Sequence, residues 1–390
     1  MGMKITQLFT DFFNSEKASG FILIGCTALS LAISNSSLGE SYISFWNIEL
    51  GHHSINHWIN DGLMTIFFLL VGLEIEREIY IGELKSLKNA MLPVFAAAGG
   101  MIVPALIHFL FNQGTSTQSG FGIPMATDIA FALGVLSLAG KRVPYTLKIF
   151  LTALAIIDDL GAIIIIAIFY TSSVSWFNLS IALGIFAGLL ILRRLKVRAM
   201  IFYIVPGVAM WYFMMQSGVH ATISGVLFAF AIPFGKGDNN SMSSKLQHLL
   251  HKPVGFIIVP LFALANTCIV FAPGIFSHLT DRNSLGIILG LLIGKPLGIF
   301  LFSLVAIKLG IGQLQTEVNK KHLFGAGILG GIGFTMSIFI TLLAFSEGEL
   351  ITISKISVLL GSLAAGIIGY LFLGFTNPSD TQRISGRSSV

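Results

Sequence analysis

The run TALAIIDDLGAIIIIAIFYT, residues 152–171, decides how the chain is read. About 20 apolar residues in succession suffice to cross a bilayer as a helix. This stretch has that character, yet it carries Asp158 and Asp159 side by side near its middle. A carboxylate at the bilayer centre costs roughly 2.5–3.5 kcal/mol on insertion scales, so two kept together point to cation or proton handling inside a membrane.

Working outward, the composition is that of a polytopic membrane protein. Charged residues are 11% of the chain, hydrophobic residues 54%, and the mean hydropathy is +0.86; an ordinary soluble domain is about 25% charged. The 42 glycines let helices approach closely and the 33 phenylalanines fill between them. Cys26 and Cys268 lie in separate apolar segments without metal-ligand spacing and read as packing residues.

Twelve candidate spans follow from a window of about 19 residues: near 18–36, 59–75, 90–111, 121–140, 145–171, 176–192, 199–216, 218–234, 253–273, 285–307, 322–346 and 353–374. The first resembles a signal peptide at Ala32, Ile33 and Ser34, but its long leader through Lys17 lacks a short basic n-region, so it is kept as a span. Residues 1–390 then form one transmembrane transporter domain, with 1–17 a cytoplasmic leader and 377–390 a polar cytoplasmic tail.

Basic residues orient the spans. Lys4 and Lys17, the even-numbered connections (from Arg77, Lys85 and Lys88 through Lys141, Arg142, Lys148 and Lys236 to Lys320 and Lys321) and the tail residues Arg383 and Arg387 all fall on one side. The opposite loops hold only Arg282. By the positive-inside rule both termini are cytoplasmic. The net charge of +5 therefore reflects topology, and no basic run interleaved with aromatics suggests nucleic-acid binding.

Lys355 sits at a predicted helix end, where it can snorkel. Lys295, in LGLLIGKPLGIFLF, cannot, and needs an anionic partner among Asp158, Asp159 and Asp128. Residues 290–295 imitate a phosphate loop, but the spacing is one residue short and Pro296 stands where Ser or Thr belongs. Gly290 and Gly294 read instead as a close helix contact.

Two spans are interrupted. In the fourth, Gly120, Gly122 and Pro124 precede Thr127 and Asp128; in the eleventh, Gly325, Gly327, Gly330, Gly331 and Gly333 recur. Aligning Thr127 with Thr335 pairs TDIAF with TMSIF, 208 residues apart. Broken hydrophobic segments in corresponding halves are the sequence pointer to an inverted-repeat transporter and its binding site.

The residues suffice to outline a chemistry. Sodium takes hard oxygen ligands: the carboxylates of Asp158 and Asp159, the Thr127 hydroxyl and carbonyls freed before Asp128. A desolvated carboxylate favours its neutral form and gives up its proton when a cation offers a better charge partner, so proton and sodium compete for one site. An intramembrane aspartyl protease is excluded, because neighbours on one helix point about 100° apart and cannot share a water across helices. A channel fits the broken repeats and buried lysine less well than alternating access. A sodium-coupled solute symporter is the closest alternative, but polar groups for an organic substrate are few beyond the ion site.

FFLLVGLEIERE (67–78), GGMIVPAL (99–106), ATDIAFALGVL (126–136), the segment 142–171, SGVHATISGV (217–226), PLFALANT (260–267), LIGKPLGI (292–299) and GIGFTMSIFI (331–340) resemble, in order, the NhaA-type sodium/proton antiporters of the bacterial inner membrane. The resemblance implies an all-α fold of twelve helices with inverted-topology repeats, spans 4 and 11 being broken and crossing. It implies a transporter and not an enzyme, needing no cofactor beyond the transported Na+, Li+ and H+ ions. By the same resemblance Asp158 pairs with Lys295 in the proton-loaded state and Asp159 coordinates the ion more directly. Asp128 and Lys295 would offset the facing dipole ends of the broken helices. For Asp128 and Thr127 capping and ion ligation both stand at this stage, and for Lys295 both a structural salt bridge and proton carriage.

The family's pH-sensing face would comprise Glu74, Arg77 and Glu78 with Lys245, His248 and His251, histidine titrating near neutrality. Two departures alter its charge: Gln247 stands where relatives can carry glutamate, and Glu76 where lysine can occur. His220 belongs to the family pattern and reads as a hydrogen-bonded packing histidine, while Asp61 reads as interfacial. WNIELGHHSI, around Gly51, alternates as a β-hairpin, which in the family supports a homodimer.

Overall fold

The computed structural model describes residues 16–139, 143–171, 173–235, 241–314 and 317–376. The leader before Glu16, the tail from Asn377, and with them Lys4, Lys141, Arg142, Lys236, Arg383 and Arg387 lie outside the described residues. In chain order the main elements are α1 (Glu16–Ser34), α2 (Gly39–Trp46), β1 (Glu49–Leu50), β2 (His53–Ser54) and α3 (Ile55–Tyr80). There follow α4 (Leu87–Asn112), α5 (Ser116–Met125, a 3₁₀ helix), α6 (Ile129–Leu138), α7 (Tyr145–Phe169), α8 (Trp176–Arg194), α9 (Ile201–Gln216) and α10 (Thr222–Ala231). The chain continues through α11 (Met242–Asn266), α12 (Arg282–Lys308), α13 (Lys320–Gly330), α14 (Phe334–Ala344) and α15 (Gly348–Phe375).

Seven helices, α3, α4, α7, α8, α11, α12 and α15, are each long and apolar enough to cross a membrane, and three bent pairs raise the number of candidate spans to ten. At about 1.5 Å per residue, the 25 residues of α7 exceed the hydrocarbon thickness. Backbone polar groups in lipid must be satisfied within the segment, which is why the apolar runs are helical. Two further apolar helices, α9 and α10, are shorter than these spans. The hairpin is present, with Glu49 opposite Ser54, Leu50 opposite His53, and Gly51 at φ +75° in the turn.

Two boundaries differ from the hydropathy reading. The ninth span begins at Met242 and not near 253, because Ser241 caps its amino end by accepting the Ser244 N–H and the polar first turns still bury Ser243 and Leu246. A hydropathy window cannot register such an amphipathic start. The eighth is shorter than expected, confined to Thr222–Ala231.

The chain divides into two compact units. One holds the start of α1 through Gly25, Ser86–Asp159, and everything from Phe271 onward; the other holds Cys26–Lys85 and Leu160–Val270. In the first, α12 is closely packed at Gly290 and Gly294: an added Cβ would meet Pro124 Cβ of α5 at 2.7 Å and Pro104 Cα of α4 at 2.8 Å respectively. The close contact expected of these glycines is therefore real. The turn Gly290–Gly294 is wound as a π-helix. Pro296 has no N–H to continue the regular ladder, and a π-turn often marks a functional position within a helix. Lys295 lies between the two.

Candidate functional site

The site is built where two bent helix pairs meet in the first unit. α5 and α6 turn by 45° across Ala126, Thr127 and Asp128, and α13 and α14 turn by 45° across Gly331, Ile332 and Gly333. Each interruption frees backbone groups that cannot be left bare in an apolar interior. They are paired across the breaks: the Asp128 N–H donates to the Ile332 carbonyl at 2.7 Å, and the Ser337 hydroxyl donates to the Ile123 carbonyl at 2.6 Å. The breaks thus correspond as Thr127 with Ile332. Aligning Thr127 with Thr335 sets the two segments three residues out of that register.

Asp128, 3% exposed, is the N-cap of α6, its Oδ1 accepting the Phe131 N–H at 2.9 Å. Its Oδ2 accepts both the N–H and the hydroxyl of Thr335, at 3.1 and 2.5 Å, in the first turn of α14. One carboxylate therefore faces two helix amino ends, each equivalent to roughly half a positive charge. Capping is what the structure assigns to Asp128. Thr335, which the sequence showed only as a repeat position, supplies the second half of the cap.

Lys295 is fully buried and does the converse. Its Nζ donates to the Met125 carbonyl, at the carboxyl end of α5, and to Asp158 Oδ2 at 2.5 Å. Asp158 is fully buried and Asp159 is 1% exposed. Thr127 Oγ1 lies 2.7 Å from Asp158 Oδ2 and 3.0 Å from the Gly330 carbonyl, the carboxyl end of α13. Its single hydrogen serves one acceptor at a time. Asp158 Oδ1 has no hydrogen-bond partner among the described residues. The unit thus brings together Asp158, Lys295 and Thr127, with Asp159 adjacent in sequence and Asp128 on the other side of the break. Three buried carboxylates stand beside one buried ammonium.

In the second unit the residues expected to form the pH-sensing face are arranged differently. His251 Nδ1 lies 4.0 Å from Glu74 Oε1, the histidine side chain 63% exposed. Arg77, Lys245 and His248 are exposed and Glu78 half-buried. Glu76 is turned the other way, 1% exposed, with Oε1 2.9 Å from an Arg193 guanidinium nitrogen. Sequence reasoning assigned Arg193 only to a basic connection. His220 Nε2 is 2.9 Å from the Tyr170 carbonyl, in keeping with a packing histidine. Asp61 Oδ2 is 3.2 Å from His57 Nδ1. Among the described residues neither Cys26 nor Cys268 is in a disulfide, and Cys268 donates to the Leu264 carbonyl.

A helical protein of many apolar spans, with a buried carboxylate–ammonium pair at the meeting of two bent helix pairs, has the parts of an ion-coupled membrane transporter. Comparison with known proteins narrows the class. The chain matches the family described as Na+/H+ antiporter 1 over residues 10–373. It is similar to the Na(+)/H(+) antiporter NhaA of Flavobacterium psychrophilum, 62% identical over 96% of this chain and 97% of that one. It is also similar to that of Cytophaga hutchinsonii, 58% identical over 96% and 97%, and to that of Vibrio campbellii, 48% identical over 96% and 97%. The chain belongs to the Na+/H+ antiporter 1 family.

Proposed function

We propose that the protein is an electrogenic, pH-regulated antiporter that exports Na+ or Li+ in exchange for H+ by alternating access, with cation and proton competing at Asp158 and Asp159. The observation that carries the reading is the charge of the buried cluster: Asp128, Asp158 and Asp159 against Lys295 alone. Two helix amino ends offset about one charge at Asp128, and Lys295 offsets another. The remainder is a demand for a cation or a proton in a place where unneutralised charge is costly. The antiporter relatives support sodium as that cation, and no donor in the cluster is a soft ligand.

Asp158 and Asp159 have different tasks in this scheme. Asp158 exchanges its bond to Lys295 for the cation, while Asp159 and Thr127 present oxygens to it. A cycle that carries one sodium outward and two protons inward moves one net charge, worth about 2.3 kcal/mol per 100 mV. Twelve spans with inverted repeats and crossing broken helices, both termini cytoplasmic in the bacterial inner membrane, and a homodimer supported by the β1–β2 hairpin complete the proposal. Glu74, Arg77, Glu78, Lys245, His248 and His251 are its pH-responsive face.

The direct assay is sodium-triggered dissipation of ΔpH in energised everted vesicles, for the native chain and Asp159→Asn. Antiport through this carboxylate requires sodium-dependent proton movement in the first and its loss in the second. Sodium-independent proton movement, or full activity in the variant, would overturn the assignment. Clamping the membrane potential with potassium and valinomycin separates electrogenic from electroneutral exchange.

A further inference from the structure

Burying an ion pair is seldom a net gain in stability, but removing one partner leaves an uncompensated buried charge that the surrounding packing cannot tolerate. Glu76 and Arg193 are such a pair in the second unit, whereas the residues assigned to ion binding belong to the first. Successive residues on a helix turn by about 100°. Glu74 and Glu78 therefore share one face of α3, with Arg77 close by, and Glu76 points to the opposite one. Glu76 is 1% exposed accordingly, and Arg193, in the last turn of α8, reaches it at 2.9 Å with its side chain 26% exposed.

The pair reaches beyond two helices. The Arg193 guanidinium also donates to the Phe230 carbonyl in the last turn of α10, where a cation is favoured by the helix dipole. The Ser243 hydroxyl, on the first turns of α11, faces the Glu76 carboxylate. Tyr203, on α9, lies close enough to Arg193 to feel its charge while donating to the Val197 carbonyl. Facing Glu76 are thus Arg193 from α8, Ser243 from α11 and, behind Arg193, Tyr203 from α9; α10 contributes only a backbone carbonyl. Lys245, His248 and His251 follow Ser243 on α11, and Glu74 on α3 faces His251 at 4.0 Å.

We propose that the buried Glu76–Arg193 pair is a positioning element for the inner-end face, tying α3 to α8 and α10 so that Glu74, Arg77 and Glu78 meet Lys245, His248 and His251 of α11, which packs on the same buried Leu73–Leu246 cluster, in fixed register. It thereby sets the pH at which transport turns on. The proposal rests on the reading of the protein as a pH-regulated antiporter. Glu76 touches neither ion nor proton in transit, so its loss displaces the pH response and leaves the sodium site intact.

The test uses the full chain in proteoliposomes, with sodium-driven proton movement scanned from about pH 6 to 9. Variants are Glu76→Gln, Arg193→Gln, Arg193→Lys and the charge exchange Glu76→Arg with Arg193→Glu. Each neutralised variant should shift the half-activation pH by at least about half a unit, with the apparent sodium KM at the optimum within about twofold of native. Arg193→Lys, and the exchange, should restore the native midpoint toward its original value. Native midpoints in both neutralised variants would overturn the proposal, as would a changed sodium KM at an unchanged midpoint. Should Glu76→Gln fail to assemble, Arg193→Gln carries the same test from a partly exposed position. A native chain whose sodium-driven exchange does not vary with pH would overturn the pH-regulated reading itself; a native pH response retained by every variant overturns only the role of the pair.

Discussion

The break region of the first unit and the Glu74–His251 face of the second both carry several charged side chains, yet they do opposite things with them. Around Thr127 and Asp158 the charges are buried, and Lys295, Asp158 and Asp128 are held by short bonds: Lys295 to Asp158 at 2.5 Å, and Asp128 to Thr335 at 2.5 Å. At the other face, Glu74 and His251 are 4.0 Å apart and the histidine is 63% exposed. Water and salt screen the second set; nothing screens the first. Charges that must choose a partner in a dry interior can be exchanged for a transported ion, whereas exposed charges respond gradually to bulk pH.

That contrast can be broken experimentally, beginning where the effect is largest. Lys295→Met leaves Asp158 as an uncompensated buried carboxylate, a change that costs about 3–5 kcal/mol in buried pairs. The expected outcome is a marked fall in the thermal melting temperature of the purified protein, partly recovered when Asp158→Asn is added. Equal melting of the single and double variants would mean that the two groups are not coupled. Next comes Asp128→Ala, which deletes the caps of α6 and α14 together. Each N-cap is worth about 1 kcal/mol, so the loss should be roughly twice that, and Asp128→Asn, which keeps acceptor capacity, should lose less.

Thr127→Val removes one oxygen from the proposed sodium site and one donor to Asp158. A neutral hydrogen bond contributes about 0.5–1.5 kcal/mol net, which sets the expected rise in apparent sodium KM at about two- to tenfold in the ΔpH assay. The smallest effect belongs to Glu74→Gln. Exposed pairs are worth about 0–1 kcal/mol, so melting should stay within a degree or two of native while the pH profile of transport moves. A large stability loss there would erase the distinction between the two regions.

Much of the buried site was legible in the sequence because membrane insertion penalises charge so heavily. Asp158, Asp159 and Lys295 stood out against apolar runs, and the glycines and proline around Thr127 and Ile332 marked both interruptions. The residues alone narrowed the partner of Lys295 to three aspartates, the family resemblance pointed to Asp158, and the fold holds that pair together. Thr335 could not be given its role, since the repeat alignment set it opposite Thr127 while the chain places it in the first turn of α14. Arg193 was illegible for a different reason. An arginine in RRLK at a span end looks like an orientation signal, and nothing local shows that it bends back to Glu76, 117 residues earlier. The amphipathic start of α11 escaped because hydropathy averages over the polar face that makes it a helix.

The central claim is that sodium and protons compete for one buried carboxylate site. It is tested most directly by the apparent sodium KM of the native protein in proteoliposomes, measured at successive pH values on the acidic side of its optimum. Competition by a single proton predicts a KM that falls by about tenfold for each unit rise in pH, with the saturating rate approached at every pH given enough sodium. A KM that holds constant while the saturating rate changes would contradict it, placing the pH dependence outside the sodium site.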